Sequence, residues 1–271
     1  MRLRLPPLCC LPLVCHPALA DTQQYDLTAG ADYYTLKEFG TGGARLVREE
    51  AILPGARLAW REQREHLIMT LDAALAGGPV HYDGQTQSGL PHTTRGWHLL
   101  PEVGVGLEWP ARTRLRAYGR MEFEADFRYL DDKGAVAGAT EFYQRLNGGL
   151  GLALDAWRGE RTGLTVRAGR LEPLYSVVNV YSRTGTDDLT LRLDNGSGWE
   201  ASADYVWKTA ADRQWLLSAA CRNQEFDPSP AAQMTVNGAP IGYIIYQPEI
   251  HFHRCGLRLG LRMPLGAASA N

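Results

Sequence analysis

A chain of 271 residues, 45% hydrophobic and 21% charged, is long enough to bury one sizeable core or to close one barrel. Its formal net charge of −2 supplies no basic surface, which excludes an electrostatic case for nucleic acid as a partner. Beyond residue 21 no apolar run approaches the ~18 residues of a transmembrane helix, so any membrane crossing has to be made by a closed barrel of strands.

The first twenty residues read as a secretory signal peptide. Arg2 and Arg4 form its basic start, Leu5 to Val14 its apolar stretch, and Ala18-Leu19-Ala20 places small residues before a cut at Asp21. A lipoprotein cut before Cys15 is the rival, but Val14 stands where that signal wants a small residue. Cleavage at Asp21 removes Cys9, Cys10 and Cys15 and leaves Cys221 and Cys255, in a compartment that tolerates disulfides. The sequence thus divides into a signal peptide (1–20), a barrel (21–263) and a short C-terminal tail (264–271).

Period-two alternation recurs along the rest of the chain. It is weak over 25–36 and 52–61. Over 66–76, Leu67, Met69, Leu71, Ala73 and Leu75 oppose His66, Thr70 and Asp72. Over 97–109, Trp97, Leu99, Val103, Val105, Leu107 and Trp109 oppose His98, Glu102 and Glu108. Residues 114–129 are plainest: Leu115, Ala117, Met121, Phe123, Phe127 and Tyr129 share one face, and Arg114, Arg116, Arg120, Glu122, Glu124, Asp126 and Arg128 the other. That run far exceeds the ~5–6 residues of an ordinary strand. Weaker segments at 140–155, 163–171 and 213–226 flank 198–207, where Trp199, Ala201, Ala203, Tyr205 and Trp207 oppose Glu200 and Asp204. The last, 251–263, sets Leu257, Leu259, Leu261 and Met263 against Arg254, Arg258 and Arg262. The total is about ten strands, in an all-β, antiparallel, up-and-down transmembrane barrel.

Short turns near 61–65, 110–113, 157–162 and 208–213 alternate with long polar links near 37–50, 77–96, 130–139, 172–197 and 227–249. This is the asymmetry of short periplasmic turns and long extracellular loops. Asp194-Asn195-Gly196 and Asn237-Gly238 predict tight turns with positive φ inside the last two links. Counting those projections as spans would give twelve strands, but 188–193 is too short to cross. Trp60, Trp97, Trp109, Trp199, Trp207 and Trp215 fall at strand ends, where two interfacial aromatic girdles would sit. Trp157 sits at a strand end too, with the wrong parity for its strand's apolar face. The competing architecture is a soluble periplasmic β-barrel binding protein, whose apolar face would point inward. Glycine and charge crowding the polar face suit the narrow interior of a membrane barrel instead.

The segment His81-Tyr82-Asp83-Gly84-Gln85-Thr86-Gln87, the strand start Thr140-Glu141-Phe142-Tyr143 and a Gly-rich final strand resemble uncharacterised outer-membrane β-barrel proteins of proteobacteria. The resemblance covers most of the mature chain and implies a fold and a location, the cell outer membrane, without an activity. Outer-membrane lipid, lipopolysaccharide and the outer-membrane assembly machinery are the partners it implies. The chain departs from such barrels in ending its last strand on Met263 with a tail after it, rather than on an aromatic residue.

The expected interior charge network comprises Asp72, Glu102, Glu108, Arg114, Arg116, Arg120, Glu122, Glu124, Asp126, Arg145, Glu200, Asp204, Arg254 and Arg258, because charges in a narrow barrel must pair or reach water. Such an interior fits a structural, surface-interaction or narrow-channel protein. A hydrolase acting on lipid or peptide at the outer rim is the alternative, with His92, His98, Ser88 and Asp83 as candidate catalytic residues. Matching parity makes Cys221 and Cys255 a candidate disulfide. His251 and His253 share a strand face, but two ligands without a third imply no metal, and no cofactor is implied.

Overall fold

A computed structural model describes residues 22–40, 42–64, 66–85, 89–110, 114–134, 136–182, 185–193, 195–209 and 213–265. The expected signal peptide (1–20) and residues 266–271 of the expected tail lie outside the described residues. Ten strands form the wall: β1 (Thr22–Phe39), β2 (Arg45–Arg64), β3 (Leu67–Gln85), β4 (Pro91–Pro110), β5 (Leu115–Leu130), β6 (Thr140–Arg158), β7 (Thr162–Tyr181), β9 (Ser197–Lys208), β10 (Gln214–Phe226) and β13 (Glu249–Leu265). Each pairs antiparallel with its neighbour, and β1 pairs with β13 from Gln23↔Leu265 to Phe39↔Glu249. That pairing closes the cylinder and removes both sheet edges. The short β8 (Leu189–Arg192) adds to the far end of β7, and β11 (Ala232–Val236) with β12 (Ala239–Ile245) forms a separate hairpin. The wall is ten-stranded, and among the described residues there is no helix, hence none long and apolar enough to cross a membrane.

Strands β1 to β7 and β13 run for 16 to 20 residues, well beyond the ~9–11 a tilted membrane strand needs. The surplus lies at the end opposite the chain termini, the loop end. There the structure corrects three of the long links: among the described residues 37–39 and 45–50 are strand, 77–85 and 91–96 are strand, and 172–181 continues β7. The wall simply continues upward, with its polarity reversed. Toward the termini, Leu27, Leu58, Leu71, Val103, Met121, Leu152 and Leu257 point outward and are about half exposed, while the charges point inward. Toward the loops, Leu36, Val47, Val80, Tyr82, Leu100 and Leu130 point inward and are buried. The outward positions become Lys37, Arg48, Glu50, His81, Asp83 and Arg95. Side chains keep alternating, but the apolar class moves from one parity to the other. The lower wall is a lipid-facing belt, and the upper wall is a collar built like a water-soluble barrel.

Two local features complete the wall. In β6 the register slips between Asp155 and Trp157, so one extra residue sits in the strand as a bulge. The slip reverses the phase and turns Trp157 outward, 59% exposed, despite its parity. Asn195 (φ 45°) and the pair Asn237 (φ 51°) and Gly238 (φ 77°) adopt left-handed backbone at the two tight turns. Two successive positive-φ residues fit the twist of the β11–β12 hairpin.

Candidate functional site

The interior is organised as three tiers. Nearest the termini, Arg116 bonds Glu108 (2.7 Å) and Asp155 (2.8 Å), Arg167 bridges Asp204 (2.6 Å) and Glu108 (3.1 Å), and Arg61 reaches Glu108 at 3.4 Å. At mid-barrel, Arg222 engages Glu122 (2.7 Å) and Glu124 (2.8 Å), and Arg120 bonds Glu200 (3.0 Å). Arg57 lies 3.2 Å from Asp72, Arg254 bonds Glu102, and Arg145 bonds Glu124. Across the β1–β13 closure, Arg258 grips both oxygens of Asp32 (2.6 and 2.7 Å) and Arg262 both oxygens of Asp26 (2.7 Å each). Gly256 gives Asp32 its room, since a Cβ there would come within 2.0 Å of the carboxylate. Arginine suits these positions because one planar fork serves two carboxylate oxygens at once.

Glu102, Glu122 and Glu124 present oxygens within 4.8 Å of one another, the grouping a divalent cation uses. Arg222 lies within 4 Å of all three, so a guanidinium occupies that place. A polar chamber of about 170 Å³ runs through the middle and lower tiers, and a mouth of about 410 Å³ opens at the terminal end. Arg61, Arg167, Asp204 and Arg262 line both.

The third tier crosses the barrel where belt meets collar. His98 is fully buried, with Nδ1 2.8 Å from Asp126 and Nε2 3.0 Å from Glu49. Flanked by two carboxylates, the ring is held as an imidazolium, hydrogen-bonded through Nδ1 to Asp126 and paired by charge alone through Nε2 with Glu49. The Tyr34 hydroxyl donates to Asp126 (3.1 Å), and Arg128 donates to Glu49 (2.7 Å) and Glu141 (2.6 Å). Arg145 stacks over Phe252, 4.0 Å from the ring centroid. With Leu53, Leu100 and Tyr143 these side chains make a buried layer. Above it lies a cavity of about 160 Å³ at the loop end, sharing no lining residue with the chamber below. Burial pushes the Glu38 carboxyl at this cavity up to about 7, against the pull of Arg128.

The sequence-derived candidates separate on this scaffold. His92 and His98 are buried inside the wall, whereas Asp83 faces outward, bonded by Thr93 at 3.2 Å. Ser88 lies outside the described residues. No nucleophile–base pair forms from the three that are described. Arg114 is an exception to the interior network: it is exposed in the β4–β5 turn, because the strand begins only at Leu115. Trp97, Trp109 and Trp199 are each more than 40% exposed on the outer face, and Trp60, Trp207 and Trp215 are partly exposed near the terminal end. Trp207 stacks on Trp215, with centroids 6.3 Å apart. Cys221 lies directly opposite Cys255 and is joined to it, with the Cα atoms 4.1 Å apart. Sequence reasoning missed Asp32, Arg222, Asp155 and Arg167, although the parity of their strands points each inward. It missed Glu38 and Glu49 because their segment read as a loop.

No protein-family model matches the chain, and no curated protein matches it in sequence. Solved structures do match in shape. The outer-membrane protease OmpT of Escherichia coli is 10% identical with a TM-score of 0.59, covering 91% of this chain and 97% of its own. The translocator domain of the autotransporter NalP from Neisseria meningitidis is 11% identical (TM-score 0.40, 86% and 87% covered). The toluene transporter TodX of Pseudomonas putida is 11% identical (TM-score 0.38, 90% of each chain). The OmpT likeness is one of fold: this chain is a closed antiparallel barrel of the outer-membrane kind.

Proposed function

We propose that the protein is an integral outer-membrane barrel that does not conduct, and that it displays its collar outside the cell for surface interaction. On this reading the belt sits in outer-membrane lipid, the collar rises toward the lipopolysaccharide layer, and the assembly machinery inserts the chain with both termini in the periplasm. The observation that carries it is the buried layer around His98, which separates the lower chamber from the loop-end cavity. A water-filled path would have to pass a paired imidazolium and close-packed aromatic rings. The reversed polarity of the collar supports its standing in water, since an apolar interior with a charged exterior is the arrangement of a soluble domain.

The test is planar-bilayer recording of the purified, folded protein. The expected result is a membrane as resistive as one without protein. Steady ohmic steps would overturn the plugged reading. Heat-modifiable migration in the outer-membrane fraction, with the β11–β12 hairpin cut by protease on intact cells, checks placement and orientation.

A further inference from the structure

The loop-end cavity holds a histidine with nothing to bond. His92 points inward from β4, is only 5% exposed, and lines the cavity. Among the described residues neither of its ring nitrogens has a hydrogen-bond partner, and its contact with Tyr82 is edge-on between rings, with centroids 5.5 Å apart. Leaving a buried polar group unmet is unfavourable, so such a group in a native wall marks a place where something else can bind. The rest of the lining narrows what that is. Much of the wall is apolar, from β2, β5, β7 and β8. Its charges are unequal: Glu38 (3.4 Å) and Glu141 (2.6 Å) share Arg128, whose Nε is already given to Glu49 at 2.7 Å. Glu38 takes a further bond from Gln247 (3.0 Å) and Glu141 one from the Tyr143 hydroxyl (2.8 Å), but the two carboxyls lining the cavity share a single guanidinium, so acceptor oxygens outnumber the cationic donors there.

We propose that this cavity binds a small amine with an apolar body, its ammonium donating to His92 and to the carboxylates of Glu38 and Glu141. The three donors of an ammonium match one unpartnered ring nitrogen and two carboxyls, each of which keeps acceptor capacity beyond the bonds it already takes. The apolar walls take the hydrocarbon, and about 160 Å³ leaves room for roughly ten non-hydrogen atoms. A carboxylate ligand of equal size meets like charge, and an alcohol lacks the charge that the wall calls for. The proposal rests on the collar standing in water, where a dissolved amine reaches it. Its test uses the barrel held in detergent, so it reads independently of conduction and orientation.

The experiment is calorimetric titration of the folded full-length chain in micelles with n-hexylamine, after subtraction of a protein-free micelle blank. Saturable binding of hexylamine is expected, with no binding of hexanoate and weaker binding of hexanol. His92→Leu, which keeps the bulk and removes both nitrogens, should weaken hexylamine about tenfold, the effect of one lost charge-assisted bond. Uptake that never saturates, that is equal in the variant, or that favours hexanoate would overturn the proposal. If His92→Leu does not fold, histidine-labelled wild type decides by nuclear magnetic resonance. The His92 ring signals must shift with hexylamine while those of outward-facing His81 stay put, and an unmoved His92 refutes the site.

Discussion

Belt and collar are made from the same eight tall strands, yet they solve opposite solvation problems. In the belt, hydrocarbon lies outside, so leucine and valine face outward and every interior charge must find a partner within the cylinder. In the collar, which we place in water, the same strands turn Leu36, Val47 and Val80 inward and Lys37, Arg48 and His81 outward. A β-strand is indifferent to which parity is apolar. The backbone crosses from one regime to the other without a break, and only the composition of the two faces records where lipid ends.

Substitutions can break this comparison, and the largest effect should come at the junction. His98→Ala leaves Glu49 and Asp126 buried without their shared cation and should cost about 3–5 kcal/mol in urea unfolding of the lipid-reconstituted barrel. A loss below 1 kcal/mol would mean that water reaches the layer. In the collar core, Leu100→Ala should cost about 2–5 kcal/mol by opening a void in a packed interior, as in a soluble protein. In the belt, Val103→Arg, midway between Trp97 and Trp109, should cost about 2–4 kcal/mol in the same assay. The equivalent outward change in the collar, His81→Arg, should stay within about 0.5 kcal/mol. Equal costs for that last pair would erase the boundary between the halves.

Two further measurements sharpen it. Glu38 titrates near 7 in the folded collar, against an ordinary value of 4.5, so the native state keeps a proton that the unfolded chain releases. Stability should therefore fall as pH rises from about 4.5 to 7, and Glu38→Gln should flatten that part of the profile. The smallest effect belongs to Asp187, which accepts bonds from the Thr235 hydroxyl (2.6 Å) and from the backbone of Asn237 (3.1 Å) and Gly238 (2.8 Å). Those bonds hold its carboxyl below the usual range. Asp187→Ala should speed proteolysis of the β11–β12 hairpin and leave the unfolding midpoint unchanged.

The belt was legible in the sequence because alternation there has full amplitude: charged against aliphatic, as at Arg120 and Met121. The ten wall strands and the inward charges, Arg114 apart, follow from that contrast, and the tight turns from their Asn-Gly pairs. The collar was not legible, for a physical reason. Where the apolar class changes parity, neighbouring positions such as Leu53 and Ile52 are both apolar and the contrast weakens, and beyond that point the outward face turns polar. Read locally, a polar outward face with the glycines of 40–43 and 77–89 looks like a loop, which is why 37–50 and 77–96 read as long links. Glu38, Glu49 and the setting of His92 were hidden with it. The bulge before Trp157 was announced only by a parity that did not fit.

The ion pairs that join the last strand to the first carry a further consequence. Along the inner face of β13 the sequence reads Arg254, Gly256, Arg258, Gly260, Arg262, opposite Asp32 and Asp26 of β1. Sliding β13 by two residues would keep every side chain on its proper face, so hydrophobic patterning alone cannot forbid it. It would, however, take Arg262 from its place opposite Asp26, leaving Gly260 or Pro264 there, and it would bring an arginine into the space opposite Asp32 that Gly256 leaves clear for the carboxylate. The alternation of arginine and glycine therefore acts as a vernier. It gives the first and last strands of the wall, which pair across the greatest sequence distance, one position in which both carboxylates are met.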